Sequence, residues 1–458
     1  MLRVLLRRFV PLVLLGFLAA CGGGGGGGGA GASSKPSTIA NLSYSPTGAY
    51  VASSGGTVTI NGSFSFAGAN GGVASVTISV LDAAGAKVGS TTTPISNGAG
   101  LTSGIIQGSV TASTATAGTF SIVVTLTDMA GMVSNVLSGS FRVSPFPWVA
   151  QAAMTTPRVR SAVVAVGSQF YVMGGEPIVS NVIPAPALST VEIFDAATST
   201  WSNGVSLPVP REYLSAINVG GKIYAFGGSP GGAGTACAAS NFAAVFDPVA
   251  GMWSNLAPAP LVISGAAIAA IGTSIYVIGG IDMCPASIAG STNVQVFDTV
   301  HNTWSTAASI PGIAVQLGAG VQSGKIVEFG GLLQLNGGSG DANPSQSIFD
   351  PGLNTWTVSP NGFVKDGAFV ISDMATALNG VNLFSIGGNT TIGTLEYGVW
   401  QFDPVTAGWI SKESLPPTLP NSTTAAPVSG PMADSYNGQI FAFSPKATWV
   451  YTPANDLH

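Results

Sequence analysis

Arginine is scarce beyond residue 20 of the chain: only four arginines remain, and three of them fall in the segments that join successive sequence repeats. Together with acidic residues of the same region they form a candidate set: Arg158, Arg160, Arg211, Glu176, Glu212 and Asp282. Guanidinium groups bind carboxylates and other oxygen acceptors through forked hydrogen bonds, so this set is a candidate binding site for a carboxylate or a polar sugar. The alternative is that the arginines and acids pair with one another and organise loops. The sequence leaves both interpretations open.

Two of the arginines occupy the same position in neighbouring sequence repeats. The segments PRVRSAVVAVGSQFYVMGG and PREYLSAINVGGKIYAFGG align without gaps, starting from Pro157 and Pro210. Arg158 and Arg211 are therefore equivalent residues, and we expect both to lie in the segments that join one structural unit to the next.

Metal, thiol and nucleic-acid chemistry has little support in the residue inventory. The histidines are His301 and His458, and the cysteines beyond Cys21 are Cys237 and Cys284, with no C-x-x-C pair. We therefore expect neither a metal nor a cofactor. Cys237 and Cys284 fall at comparable places in neighbouring repeats, so an oxidising compartment would allow a disulfide, with two free thiols as the alternative. A formal net charge of -5 and the lack of a basic run argue against nucleic acid as a partner.

A repeat of 51 to 53 residues organises the rest of the chain from Trp148 onward. Each repeat has an apolar pair of strands, a Gly-Gly pair, a variable loop, a strand ending in Phe-Asp, and then a tryptophan. The tryptophans are Trp148, Trp201, Trp253, Trp304, Trp356 and Trp409. The Gly-Gly pairs are Gly174-Gly175, Gly227-Gly228, Gly279-Gly280, Gly330-Gly331 and Gly387-Gly388.

This combined pattern resembles the kelch repeats of β-propellers, whose period is about 50 residues. The resemblance implies four-stranded blades in which Gly-Gly ends the second strand, the Phe faces the neighbouring blade and the Trp packs between blades. The Asp of Phe-Asp is expected to form a turn. The resemblance also implies that ligands bind on the face that carries the second-to-third strand loops and the blade-joining segments.

Six apolar strand pairs can be counted, and the two ends of the repeat region complete one another. The C-terminal phrase GQIFAFSPKATWVYTP lacks an outer strand led by Trp, whereas Trp148–Met154 is an outer strand without inner strands. We therefore predict an all-β fold in which residues 146–458 form a six-bladed kelch propeller closed by an N-terminal outer strand. The last blade departs from the pattern because Ser444-Pro445 replaces Gly-Gly.

Two enzyme families share this scaffold. Copper oxidases resembling galactose oxidase need two histidine ligands, and the positions of His301 and His458 argue against such a site. The sialic-acid mutarotases line their mouth with arginine and glutamate for proton transfer around a carboxylated sugar. Arg158, Arg160 and Arg211 with Glu176 and Glu212 are compatible residue types, but no motif fixes them to that family's catalytic positions.

The N-terminus has the features of an exported protein. Three arginines precede an apolar stretch ending in Leu18-Ala19-Ala20-Cys21, which resembles the signal peptide and lipobox of bacterial lipoproteins. This predicts a signal peptide at 1–20, lipidation of Cys21 and a Gly-rich flexible tether at 21–38. The resemblance implies attachment to a membrane through lipid and a location in the cell envelope.

Residues 39–145 alternate apolar and polar residues in short runs separated by turn residues, which predicts a β-sandwich. The closing phrase TLTDMAGMVSNVLSGSFRV resembles the last hairpin of bacterial immunoglobulin-like domains, with Asp128 as a turn former.

These features together predict a lipid-anchored protein whose propeller binds a glycan, a peptide or a protein at the loop-bearing face. The alternatives are a sugar-modifying enzyme, chiefly an acidic-sugar mutarotase, and a structural component of a surface assembly.

Overall fold

The computed structural model describes residues 35–51, 56–178, 185–231, 239–282, 289–312, 314–333, 341–342, 346–359, 371–372, 374–390, 395–416, 431–445 and 447–456. Within these ranges the regular elements are β-strands, apart from a 3-10 turn at Pro453–Asn455. The chain divides into two compact units between Pro145 and Phe146. Cys21, Cys237, Cys284 and His458 lie outside the described residues, as does the predicted signal peptide.

The N-terminal unit contains eight described strands in two sheets. The strands are β1 (Thr38–Ser45), β2 (Gly48–Tyr50), β3 (Thr57–Ala67), β4 (Val73–Leu81), β5 (Lys87–Pro94), β6 (Ser103–Ser113), β7 (Gly118–Asp128) and β8 (Leu137–Ser144). One sheet has the order β1-β3-β6 and the other β2-β8-β7-β4-β5. Alternate residues of both sheets, such as Phe64 and Val124, share one apolar core, so the two sheets pack face to face.

Asp128 forms the turn after β7, as predicted. Its Oδ1 accepts hydrogen bonds from the backbone N–H groups of Ala130 at 3.0 Å and Met132 at 2.8 Å. Its Oδ2 accepts from the Asn70 side chain at 2.9 Å. These bonds satisfy a carboxylate that is only 1% exposed, and they fix the hairpin that leads into β8.

The C-terminal unit contains six antiparallel sheets, each with four consecutively paired strands, among the described residues. We number these blades 1 to 6 and their strands from the centre outward. Blade 1 is Ala162–Val166, Gln169–Met173, Val191–Asp195 and Thr200–Asn203; blade 2 is Ser215–Val219, Lys222–Phe226, Ala243–Asp247 and Met252–Asn255; blade 3 is Ala267–Ile271, Ser274–Ile278, Val294–Asp298 and Thr303–Ala307. Blade 4 is Gly318–Gln322, Lys325–Phe329, Gln346–Asp350 and Thr355–Ser359; blade 5 is Ala375–Asn379, Asn382–Thr390, Leu395–Asp403 and Gly408–Lys412; blade 6 is Met432–Tyr436, Gln439–Ser444, Ala447–Tyr451 and Trp148–Gln151.

The ring closes between the two ends of this unit. Trp148–Gln151 pairs antiparallel with Ala447–Tyr451, with Trp148 opposite Tyr451 and Ala150 opposite Trp449. Each first strand contacts the first strand of the next blade, and the first strand of blade 6 contacts that of blade 1. The predicted closure by an N-terminal outer strand is therefore present. The Ser444-Pro445 substitution does not interrupt blade 6, where Ser444 still pairs with Ala447.

The recurring Trp and Phe residues join neighbouring blades. In blade 3, Phe297 packs on Trp304 with ring centroids 5.0 Å apart, and Phe297 also contacts Phe226 of blade 2 at 5.4 Å. The indole N–H of Trp304 donates to the carbonyl oxygen of Ala257, which lies on the segment leaving blade 2. Trp148 does the same at the closure, donating to the carbonyl of Glu413 beyond blade 5 at 2.9 Å. The repeated aromatic residues thus bury the faces that one blade alone leaves open.

The Asp after each Phe forms the predicted turn between the third and fourth strands. Its Oδ1 accepts from the N–H two residues further on, at 2.8 Å from Ala197 to Asp195 and 2.9 Å from Val249 to Asp247. The same bond recurs at Asp298, Asp350 and Asp403.

The Gly-Gly pairs let the segment that enters the next blade come close. Gly174 has φ +65°, and a Cβ there would lie 2.3 Å from the carbonyl oxygen of Arg211. At Gly227 the corresponding atom would lie 2.4 Å from the carbonyl oxygen of Ile263. A side chain would push these segments apart, so the glycines are required for the loops of neighbouring blades to meet.

Short additional strands extend the same end of the propeller. Arg158–Val159 pairs with Glu176–Pro177, Ile281–Asp282 with Ala289–Gly290, and Ile371–Ser372 with part of Asn382–Thr390. In blade 4, Leu332–Leu333 lies between Ala314–Val315 and Asp341–Ala342. We call this end the loop face: it carries the second-to-third strand connections and the segments that join successive blades.

Candidate functional site

The candidate residues lie where the segments entering blades 1 and 2 meet the ends of the second strands. Val159 pairs with Glu176, and the backbone N–H of Gly175 donates to the carbonyl of Arg211 at 2.7 Å. Glu212 forms a two-way backbone bridge with Ser229. These bonds bring residues of both blades into one part of the loop face.

Arg158 is enclosed and its guanidinium is used internally. The residue is 0% exposed, and its Nη2 donates to Glu192 Oε1 at 2.6 Å. Its Nη1 donates to the carbonyls of Gly174 and Thr190, both at 3.0 Å, and Nε donates to that of Thr156 at 3.2 Å. Arg158 therefore fits the internal pairing that the sequence left open, and we assign it to holding blade 1 rather than to ligand contact.

Glu192 completes this arrangement. It is 3% exposed, and its carboxylate accepts from the backbone N–H groups of Thr155 at 2.8 Å and Thr156 at 3.1 Å in addition to Arg158. These hydrogen bonds and the charge of Arg158 lower the pKa of Glu192 although its burial acts in the opposite direction. The pair fastens the segment between the outer strand of blade 6 and the first strand of blade 1.

Arg160 lies among a different set of side chains, which we call the Arg160 cluster: Arg160, Glu176, Glu212 and Tyr213. Its Nη1 contacts Glu176 Oε2 closely and Glu212 Oε2 at 3.4 Å. The Arg160 side chain is 40% exposed, whereas the Glu176 and Glu212 side chains are 9% and 8% exposed. The guanidinium carbon lies 4.9 Å from the centroid of the Tyr213 ring, in cation–π contact. The arginine therefore offers an exposed edge while two buried acids and an aromatic ring hold it.

The two acids differ in what surrounds them. Glu176 Oε1 accepts from the backbone N–H of Ala185 at 2.7 Å. Burial raises the pKa of Glu212, the charge of Glu176 raises it further, and Arg160 opposes both effects. One arginine facing two carboxylates leaves the Arg160 cluster with spare hydrogen-bond acceptors and an excess of negative charge when both acids are ionised.

Backbone hydrogen bonds between neighbouring blades hold the segment that carries the Arg160 cluster. Arg160, Tyr213, Gly265 and Gln316 occupy one repeat position, and all have left-handed φ values, from 54° to 60°. The N–H of Tyr213 donates to the carbonyl of Arg160 at 2.8 Å, and the N–H of Gly265 donates to that of Tyr213 at 2.9 Å. Left-handed backbone is unfavourable for Arg and Tyr, and such strain concentrates at functional sites.

Arg211 does not join the Arg160 cluster. Its guanidinium carbon lies 5.0 Å from the centroid of the Phe242 ring, and its Nε is enclosed without a hydrogen-bond partner. Arg158 is therefore enclosed, Arg160 is paired with two glutamates, and Arg211 packs on Phe242. Their described contacts do not bring the three guanidinium groups together.

The other candidates are placed less fully. Asp282 lies in the short strand Ile281–Asp282, but its side chain is outside the described residues, and so are Cys237 and Cys284. Sequence reasoning missed Tyr213, Phe242 and Glu192. The alignment that equates Arg158 with Arg211 also equates Arg160 with Tyr213, so that signal was available for Tyr213. Glu192 was hidden as one acid within the apolar strand VEIFD.

Metal ligation finds no support in the part of the chain that the structure describes. No group of three or more His, Cys, Asp or Glu side chains there is arranged to hold an ion. His301 lies in the turn after the third strand of blade 3, where its Nδ1 is 2.7 Å from Asp298 Oδ2 and its side chain is 72% exposed.

Among the described residues, no helix has the length and apolar character needed to span a membrane.

Comparison with known proteins agrees with the blade architecture. The Kelch motif model matches residues 157–208 and 263–311, and the first of these segments contains Arg158, Arg160, Glu176 and Glu192. The chain therefore contains Kelch motifs in these two segments.

Three kelch-like proteins are similar to part of this chain. Kelch-like protein 35 of Mus musculus is 26% identical over 214 residues, 47% of this chain and 33% of that protein. Kelch-like protein terF of Aspergillus terreus is 24% identical over 316 residues, 65% of this chain and 63% of that protein. Kelch-like protein 23 of Homo sapiens is 27% identical over 263 residues, 56% of this chain and 42% of that protein. The chain spans less than two thirds of the length of each.

Proposed function

We propose that the propeller binds a protein or peptide partner through its loop face, with the Arg160 cluster at the centre of the contact. The observation that carries this proposal is the exposed edge of Arg160, held over Tyr213 by two buried carboxylates on a strained backbone. A group fixed in this way loses little conformational freedom on binding, which is how pre-organised sites gain affinity. Arginine and tyrosine are also the residue types that most often dominate protein interfaces.

The scarcity of charge elsewhere supports the same location. Only 7% of residues are charged, yet one arginine and two glutamates meet in the Arg160 cluster on one side of the loop face. The described ion pairs of Lys222 with Asp247 and Lys325 with Asp350 lie at the opposite end, where the first strand turns into the second. A partner guided by charge would therefore distinguish the two ends of the propeller.

The remaining parts of the chain complete the proposal. The N-terminal unit is an immunoglobulin-like spacer, supported by its two sheets of three and five strands around one core. Cys21 is lipidated, and the Gly-rich tether at 21–38 holds the protein at a membrane of the cell envelope, supported by the Leu-Ala-Ala-Cys sequence.

Enzymatic turnover of an acidic sugar is the second candidate function. It is favoured by one observation, the contact of the buried Glu212 with Arg160 at 3.4 Å, because burial raises the pKa of this carboxyl and a carboxyl beside a guanidinium can exchange a proton near a bound carboxylate. The different environments of the three arginines argue against it, since their described contacts do not bring the guanidinium groups together at one site.

Site-specific photo-crosslinking on the full chain in its host tests the binding proposal. A benzophenone amino acid at Tyr213 samples the loop face, and the same group at Tyr436, which lies at the opposite end of blade 6, is the matched control. We expect one partner to crosslink from position 213 and not from 436. With that partner purified, Arg160→Met should weaken binding about tenfold or more, and Lys222→Met should not.

Equal crosslinking from both positions, or unchanged affinity of the Arg160→Met variant, would refute the binding proposal. Acceleration of the anomer exchange of a carboxylated sugar that is lost in Glu212→Gln would favour the enzyme instead.

A further inference from the structure

The chain repeats an arginine in blades 1 and 2 but does not repeat its acid. Arg158 is paired with Glu192, the second residue of the third strand of blade 1. Arg211 occupies the position of Arg158 in blade 2, where the second residue of the third strand is Ala244. Glu192 pairs in register with Val172 and Asn203, and Ala244 pairs with Ala225 and Asn255, so the two positions are equivalent.

Arg211 therefore lacks the carboxylate that neutralises its counterpart. Across the described residues, the ion pairs include none to Arg211, and no hydrogen bond from its guanidinium replaces those that Arg158 makes to the carbonyls of Gly174 and Thr190. The second-to-third strand connections 232–238 and 283–288 contain no Asp or Glu in their sequence. Arg211 is partly exposed, and no described carboxylate forms an ion pair with it.

The Phe242 ring prepares this arginine for a planar ligand. A guanidinium stacked on an aromatic face keeps its orientation and presents its terminal N–H groups edge-on. That geometry suits the two oxygens of a carboxylate, which accept two parallel N–H bonds. The backbone holds Arg211 as well, because its N–H donates to Leu188 and its carbonyl accepts from Gly175.

We propose that Arg211, stacked on Phe242, is an anion-binding subsite that receives a carboxylate of the partner, either an acidic side chain or a C-terminus. This inference rests on the proposed function, because it assumes that the partner covers the loop face. Arg211 then supplies the positive charge that the Arg160 cluster, with two acids, lacks.

The subsite can be tested without knowing the partner. N-acetylglutamate amide is the probe, and N-acetylglutamine amide is its uncharged control at constant ionic strength. The chain has seven arginines, so the side-chain Nε–Hε NMR spectrum is simple, and the Arg211 signal is assigned by its loss in Arg211→Met. We expect a saturable shift of that signal with the glutamate probe and none with the glutamine probe.

Variants decide whether Arg211 binds the probe. Arg211→Met should weaken binding of N-acetylglutamate amide about tenfold or more, as expected for loss of a charged hydrogen-bonded pair, whereas Lys222→Met removes the same charge elsewhere and should not. Ala244→Glu places an internal carboxylate beside Arg211 and should abolish the shift.

Three results would overturn the inference. The first is equal binding by Arg211→Met. The second is stronger binding by Asp282→Asn, which would show that Asp282 already neutralises Arg211. The third is preference for inorganic phosphate over the carboxylate probe. If Arg211 does not bind the probe but position 213 crosslinks selectively, only the subsite is rejected. If Arg211 binds the probe but position 213 does not crosslink selectively, only the proposed function is rejected.

Discussion

Replacing the equivalent arginines of blades 1 and 2 should affect the free energy of unfolding to very different extents. Glu192 is 3% exposed, so Arg158→Met leaves a buried carboxylate without its counter-charge. The hydrogen bonds from Thr155 and Thr156 to this carboxylate remain. Removing one partner of a buried ion pair costs about 3–5 kcal/mol in the free energy of unfolding. Arg211→Met removes a cation with no carboxylate partner among the described residues and relieves an enclosed Nε, so its effect should be within about 1 kcal/mol.

Blade 3 provides the rescue variant. Its residues at the two equivalent positions are Ile263 and Gln295, and Gln295 Oε1 accepts from the backbone N–H of Leu261 at 2.9 Å. Glu192 accepts from the matching N–H of Thr156 in the same way. The double variant Arg158→Met/Glu192→Gln should therefore recover about 2–3 kcal/mol of the loss.

Denaturant unfolding followed by tryptophan fluorescence measures these differences. All eight tryptophans lie between Trp148 and Trp449, so the signal reports the propeller and not the N-terminal unit. Equal destabilisation by Arg158→Met and Arg211→Met, or no recovery in the double variant, would refute the distinction between a structural and an unpaired arginine.

Further predictions concern the buried acids and the ring closure. Burial raises the pKa of Glu328 to about 8 from the ordinary 4.5, and its Oε1 has no hydrogen-bond partner. The folded state therefore holds this proton more tightly, so the stability it contributes is full below pH 4.5 and is lost as the pH rises through 8. Glu328→Gln should flatten this dependence and be more stable than the parent at pH 9 by roughly 3–5 kcal/mol in denaturant titrations; a parallel pH profile would contradict this. Burial also raises the pKa of Asp434 to about 6 although it accepts from the N–H groups of Ala165 and Ser435. Asp434 joins the first strands of blades 6 and 1, so the protection factor of the Ala165 N–H, which is the exchange rate corrected for the intrinsic pH dependence, should fall as the pH rises through about 6; a protection factor that does not change with pH would argue against this. Trp148→Ala should cost about 3–5 kcal/mol by thermal or denaturant unfolding, because the ring is 4% exposed and packs 4.7 Å from Tyr451; a loss below 1 kcal/mol would mean that the ring closure is not needed for stability.

The periodic features were readable from the sequence because each repeats with its own physical cause. Trp, Phe-Asp and Gly-Gly recur every 51 to 53 residues, and each marks a packing surface, a turn or a close backbone approach. The pairing of Trp148 with Tyr451 followed from counting strands, since an outer strand without a sheet and a sheet without an outer strand can satisfy only one another.

The burial of Arg158 and the exposure of Arg160 could not be predicted from the sequence in the same way. Arg158 and Arg160 are two residues apart, which in a continuous strand would place both on one face. The left-handed φ of 60° at Arg160 turns the chain, so Arg158 is enclosed and Arg160 faces outward. The arginine itself does not predict that conformation, and the one sequence signal for it is the glycine at the equivalent position, Gly265. The Arg160 carbonyl accepts a hydrogen bond from the N–H of Tyr213 in the next blade.

Amide hydrogen exchange tests most directly whether the loop face is the binding surface. Exchange is measured on the full chain alone and with the purified partner that crosslinking identifies. We expect slowed exchange at residues 157–161, 174–178 and 210–214, with no change in the turns that follow Asp247 and Asp298 at the opposite end. Protection confined to those turns or to the N-terminal unit would contradict the account.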